Sequence, residues 1–173
     1  MTRGSWALTA AAALLFVACR PKRPATAFVV NDWRICKALQ DAAQDWADNG
    51  VSIASDVIVQ WTGPNAHGVP VRFVSAERLY RLCEDRNRQG CVSYTTSGED
   101  FAGLWVLEGL DDERLAQVVK HELMHVLVPR MPHLPQGVEG VMNTAANSTD
   151  ITTADLDHVC QYTDCENLAG KPM

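Results

Sequence analysis

The stretch His121-Glu122-Leu123-Met124-His125 constrains this chain more than any other, because it calls for a helix and then gives that helix a chemistry. On an α-helix, positions i and i+4 project from one face, so two imidazoles at this spacing can grip a single metal ion. Glu122 is rotated by about 100° from His121 around the helix axis. From there its carboxylate misses the metal yet reaches a water held by it, the placement of a general base in a hydrolytic zinc site. The competing reading is a pair of packed core histidines. Two imidazoles flanking a carboxylate are, however, costly to bury with nothing to satisfy them.

The flanking residues support the helix. Asp111-Asp112-Glu113 supplies a cap and an acidic first turn, and Leu115, Val119, Leu123 and Val126 follow as an apolar stripe at helical spacing. Val128-Pro129 ends it, since proline lacks an amide donor and disfavours helical geometry in the residue before it. Past this turn come His133, then Gly137, and then Gly140-Val141-Met142-Asn143. Ile151-Thr152-Thr153-Ala154-Asp155-Leu156-Asp157-His158 reads as a capped terminal helix.

Upstream, residues 27–30 suit a short strand. Asn31 or Asp32 can cap a helix to about Asp48 with Trp33, Cys36, Leu39, Ala43 and Trp46 facing inward, and Asn49-Gly50 stops it. Residues 51–61 alternate as a strand, Gly63-Pro64-Asn65 turns, and Val69, Val71 and Phe73 alternate again. Ser75 caps a short helix to about Cys83, and 90–94 and 101–108 read as two further strands. The expected class is α+β, a mixed sheet with three main helices.

The N-terminus has a different character. Arg3 precedes an apolar run over 7–18 that is too short to span a bilayer and fits an export signal occupying residues 1–19. Leu15-Phe16-Val17-Ala18-Cys19 is similar to a bacterial lipobox, which implies lipidation of Cys19 and a membrane anchor in the cell envelope. Phe16 stands where leucine is usual, so ordinary secretion or an uncleaved anchor stays open. Residues 20–26 then form a basic, proline-containing tether, leaving 27–173 as one domain. Four of the fifteen cationic residues precede Ala25 and none of the acidic ones does, so the remainder carries −10, against −6 for the whole chain. That balance excludes a nucleic-acid-binding surface.

Six cysteines in an exported chain point to disulfides. With Cys19 lipidated, five remain. The close pairs Cys83 with Cys91 and Cys160 with Cys165 are the simplest arrangement, which leaves Cys36 free or linked to another partner.

From His121 onward the chain resembles the metzincin zinc peptidases, the matrixin-like bacterial members most closely. The resemblance rests on His121-Glu122-Leu123-Met124-His125, a third histidine after the helix, Gly140-Val141-Met142 and the start of the 151–158 helix, in that order. It implies a twisted mixed sheet, an active-site helix and a C-terminal helix. It also implies Zn2+ held by His121, His125 and His133, with Glu122 as general base and acid in peptide-bond hydrolysis and Met142 in a Met-turn beneath the metal. The implied substrate is a peptide or protein lying along an edge strand, with Phe101–Leu107 as the candidate edge, and the protein acts as a monomer. The chain departs from the family in two places: Val128 replaces the glycine of the ligand turn, and seven residues instead of five separate His125 from His133.

Three alternatives stay open at this level. If His133 is not a ligand, His67 or His158 can replace it, with Glu139 and Asp150 less suited. Gly90-Cys91-Val92-Ser93 is similar to a segment of peptide deformylases, in which the cysteine is the third ligand. The remaining possibility is a non-catalytic, surface-anchored binding lipoprotein that retains the fold.

Overall fold

A computed structural model describes residues 25–95, 101–146 and 148–166. The expected signal segment and Cys19 lie outside the described residues, and Thr26, expected in the tether, already belongs to the first strand. The elements run β1 (Thr26–Val30), α1 (Trp33–Asp48), a 3-10 turn (Ser52–Asp56), β2 (Val57–Trp61), β3 (Val69–Val74), α2 (Ala76–Cys83), β4 (Gly90–Tyr94), β5 (Phe101–Leu107), α3 (Asp112–Leu127) and α4 (Thr153–Val159). The five strands form one sheet in the order β2-β1-β3-β5-β4. All pairings are parallel except that of β4 with β5. The fold is therefore α+β with a mixed sheet and four helices, and α3 carries His121 and His125.

Helix α1 begins where Asp32 accepts from the amides of Arg34 and Ile35. Its buried face is Ile35, Ala38, Leu39, Ala42, Ala43 and Trp46. Trp33 does not join it and is 62 % exposed. Two residues of helix rotate by about 200°, which puts Trp33 on the side opposite Ile35. Helix α3 starts at Asp111, whose carboxylate accepts from the Arg114 amide, and packs its Leu115, Val119, Leu123 and Val126 stripe into the main core. The two helices are also joined by polar contacts. Trp46 donates its indole N–H to the Lys120 carbonyl at 3.2 Å, and the Lys120 ammonium reaches Asp45 at 2.5 Å and the Thr149 carbonyl at 2.6 Å.

Strand alternation divides the sheet between two cores. Leu104 and Val106 of β5 enter the main cluster with α1 and α3, whereas Trp105 and Leu107 pack against the smaller cluster of Val74, Leu79 and Cys91 beneath α2. The Cys83–Cys91 disulfide fastens α2 to β4 on this second face, and a Cys160–Cys165 disulfide closes the turn after α4. Both expected pairs form. Cys36 is free and partly buried. Disulfides of this kind belong to oxidising compartments. Among the described residues no helix is long and apolar enough to cross a membrane.

Two strand expectations need correction. Residues 52–56 are not extended, because Ala54 bonds back to the Val51 carbonyl and Ser55 to the Ser52 carbonyl, local bonds that compete with a ladder. Phe101–Leu107 is not an edge, since β5 pairs with β3 on one side and β4 on the other. Its nearly unbroken apolar run suits burial on both faces, whereas β4 carries Ser93 and an exposed Tyr94 and forms the edge on that side of the sheet, with β2 at the other.

Candidate metal centre

The capped, stripe-bearing α3 sets His121 and His125 one turn apart, and the chain after Leu127 returns His133 to them. Their Nε2 atoms form a nearly equilateral triangle: His121 to His133 3.1 Å, His121 to His125 3.2 Å, and His125 to His133 3.2 Å. The His121 and His133 rings are stacked, and His125 meets both edge-on. This is the only group of three or more His, Cys, Asp or Glu suited to a metal among the described residues.

Hydrogen bonding fixes the protons. The Val141 carbonyl lies 2.7 Å from His121 Nδ1 and can only accept, so the proton sits on Nδ1 and the Nε2 lone pair faces the triangle. The backbone at Met131 offers His125 an acceptor in the same way. Lone pairs at 3.2 Å oppose each other unless a cation lies between them. Tetrahedral zinc at ~2.0–2.1 Å from each nitrogen sets them ~3.3–3.4 Å apart, so the observed triangle fits one face of such a site. The donor set thus fits a metal ion, and neutral imidazoles are the form that binds one. Burial is the largest cause holding them neutral, pushing His121 down to about 4 and His125 to about 3, and it lowers His133 as well.

Glu122 is buried beside the triangle. Burial pushes its carboxyl up to about 7, while the Arg88 charge and a backbone hydrogen bond at Val92 of β4 pull the other way. The edge strand approaches this carboxylate closely only because residue 90 is glycine. A Cβ there would lie 2.4 Å from Val118 Cγ1 and 3.1 Å from Glu122 Cγ. In front lies an open cleft of about 700 Å³, with Arg88, Gly90, His121, Glu122 and His133 in its lining. Arg114 secures one wall, donating to Gln89 at the start of β4 and to the Ala145 and Ala146 carbonyls at 2.8 and 2.6 Å.

The seven-residue ligand turn differs from the expected family geometry. Val128 is not left-handed (φ −125°); that conformation falls on Arg130 (φ 64°), a residue type that adopts it at some cost. Met131 and Leu134 are buried on either side of Pro132 and His133, and Leu134 donates to the Met142 carbonyl at 2.9 Å.

Sequence reasoning missed Asp155. Its fully buried carboxylate accepts from the amides of Val141 (3.0 Å), Met142 (2.7 Å) and Thr152 (2.9 Å) and from the Thr152 hydroxyl (2.8 Å). Because the Val141 carbonyl holds His121, Asp155 supports one member of the histidine triangle through one intervening peptide. Gly140 is required for this, since a Cβ there would meet the Asp155 oxygens at 2.6 and 2.8 Å. The signal was present as Thr152-Thr153-Ala154-Asp155, a capping box whose carboxylate also reaches outside its helix.

Other expected candidates lie apart. His67 is exposed in the loop between β2 and β3, and Glu139 and Asp150 are exposed. His158 bonds to the Pro132 carbonyl instead of joining the triangle. Cys91 is spent in its disulfide on the opposite face of the sheet, which removes the deformylase-like arrangement. Compared with models of known protein families and with curated proteins, the sequence matches none.

Proposed function

We propose that this chain is a zinc-dependent endopeptidase of the matrixin-like metzincin type. One observation carries the reading: three histidine Nε2 atoms converge within 3.2 Å, with a buried carboxylate at the next helical position and a cleft in front. His121, His125 and His133 would hold the ion. Bound zinc supplies a Lewis acid that acidifies its water and polarises a substrate carbonyl.

The chain's own residues do the rest. Glu122, drawn toward neutral pH by burial, takes the water proton and delivers it to the departing amine. β4 lies at the sheet edge beside Glu122, which holds a backbone hydrogen bond at Val92, and an extended peptide can add along this edge as a further strand. Met142, fully buried between its bonds to Asp155 and Leu134, supports the histidines from below. The disulfides fit an exported domain, and lipid anchoring through Cys19 belongs to the same proposal.

The test is zinc content together with peptide hydrolysis in the purified protein and in Glu122→Gln. The expected result is one zinc in each, with hydrolysis lowered roughly 10²–10⁴-fold in the variant. Zinc binding with no hydrolysis of any peptide by the wild type would favour the binding lipoprotein instead. Full activity in the variant would refute Glu122 as the proton carrier.

A further inference from the structure

We infer that His158 is a positioning residue for the third metal ligand, acting through the backbone of Pro132. The inference rests on metal binding at the triad and is independent of whether peptides are cleaved.

His133 follows a turn of seven residues that contains Pro129, Pro132 and a left-handed arginine, so local backbone preference does not set its position. The turn is held from outside at the residues flanking the ligand. On one side, the Leu134 amide donates to the Met142 carbonyl at 2.9 Å. On the other, His158 Nε2 donates to the Pro132 carbonyl at 2.7 Å. That carbonyl can only accept, so Nε2 carries the proton of this hydrogen bond. The His158 ring rests edge-on against Tyr162, which orients it.

His158 lies three residues after Asp155 on α4, and residues at that spacing share a helix face. Asp155 holds the segment that orients His121, and His158 holds the segment that presents His133. The helix thereby fixes two of the three ligands relative to each other without supplying one itself. Groups that orient metal ligands typically alter affinity by 10–100-fold when removed. An unpinned His133 segment must instead be ordered at the moment of binding, and affinity bears that cost.

The experiment compares wild type, His158→Leu and His158→Gln in the full chain, measuring zinc affinity by chelator competition and the unfolding midpoint of the metal-free protein. The glutamine amide nitrogen reaches about as far from the backbone as Nε2 and can donate to Pro132 but cannot reproduce the ring contact with Tyr162. His158→Leu is expected to bind zinc roughly tenfold to a hundredfold more weakly, with a small change in the metal-free midpoint, and His158→Gln to recover most of the affinity. Unchanged affinity in His158→Leu would overturn the inference. So would a glutamine variant as weak as leucine, which would assign the role to ring packing. If His158→Leu does not fold, His158→Ala takes its place, and unchanged zinc affinity in that variant would equally overturn the inference. A wild type that binds no zinc would overturn the metal reading itself, an outcome distinct from either.

Discussion

Asp155→Asn removes one charge from the centre of a fully buried cluster while leaving its shape almost unchanged. The carboxylate accepts four hydrogen bonds: Met142 N–H at one oxygen, and Val141 N–H, Thr152 N–H and the Thr152 hydroxyl at the other. Asparagine offers one acceptor oxygen and an NH2 group. With its oxygen turned to the threefold cluster, the NH2 faces the Met142 amide, donor against donor. The lost bond to a charged group is worth about 1.5–3 kcal/mol, and the orphaned amide adds about 1–3 kcal/mol. The carboxylate's own desolvation cost is relieved in part, so about 3 kcal/mol is expected, a large share of a total stability of about 5–15 kcal/mol. The Val141 carbonyl that holds His121 shifts with its peptide, so zinc affinity should fall roughly tenfold or more. Chemical unfolding in chelator measures the first effect and zinc competition the second. Thr152→Val is the control, since it removes a helix cap worth about 1 kcal/mol without touching the Val141 and Met142 amides, and it should leave zinc affinity intact. An Asn variant within about 0.5 kcal/mol of wild type, or one with undiminished zinc affinity, would refute the coupling.

Gly90→Ala places a methyl group against Val118 and Glu122, so β4 or α3 must give way; a destabilisation of about 1–3 kcal/mol is expected, with zinc retained and hydrolysis reduced, as melting, metal content and peptide assay would register. The metal-free fold should weaken in acid. His121 and His125 stay neutral in the fold to about 4 and about 3, while in the unfolded chain they gain protons near 6.5, so their contribution is complete above that pH and is lost below it at about 1.4 kcal/mol per unit each. Glu122, raised to about 7 in the fold, acts oppositely and offsets one histidine between about 7 and 4.5. Stability in chelator should therefore fall steadily from pH 6.5 to 4.5, about twice as steeply from there to about 4, and at the first slope again down to about 3; a flat profile would contradict burial of neutral imidazoles.

What could be read from the sequence was local. The α3 helix, its cap, its stripe and the spacing of His121, Glu122 and His125 all lie within seventeen consecutive residues, where helical periodicity is decisive. The short disulfide loops were legible for the same reason. Trp33 was misplaced although the arithmetic was available, because its hydrophobicity outweighed its angle to Ile35. The edge strand was misassigned because strand order is a long-range property. Even so, Phe101–Leu107 is more apolar than β4, and that composition favours an interior strand. Asp155 and His158 were not legible as supports, since each acts on a backbone atom at least thirteen residues away, and backbone partners leave no mark on side-chain pattern.

Those two supports explain how the fold tolerates its irregular ligand turn. A helix of seven residues is too short to persist alone, so α4 depends on docking. Val159 enters the main core with Ala154 and Leu156 against it, and the polar part of the docking goes through Asp155 and His158, the residues that orient the segments bearing on His121 and His133. The helix and the metal site are thus mutually conditional: α4 is held by the segments it orders, and those segments present their ligands because α4 is in place. Under that arrangement the 128–133 turn need not fix His133 by its own conformation. A ligand spacing that departs from the expected pattern is then compatible with a closed nitrogen triangle, because the geometry is imposed from α4 and the Met142 segment and not by the turn.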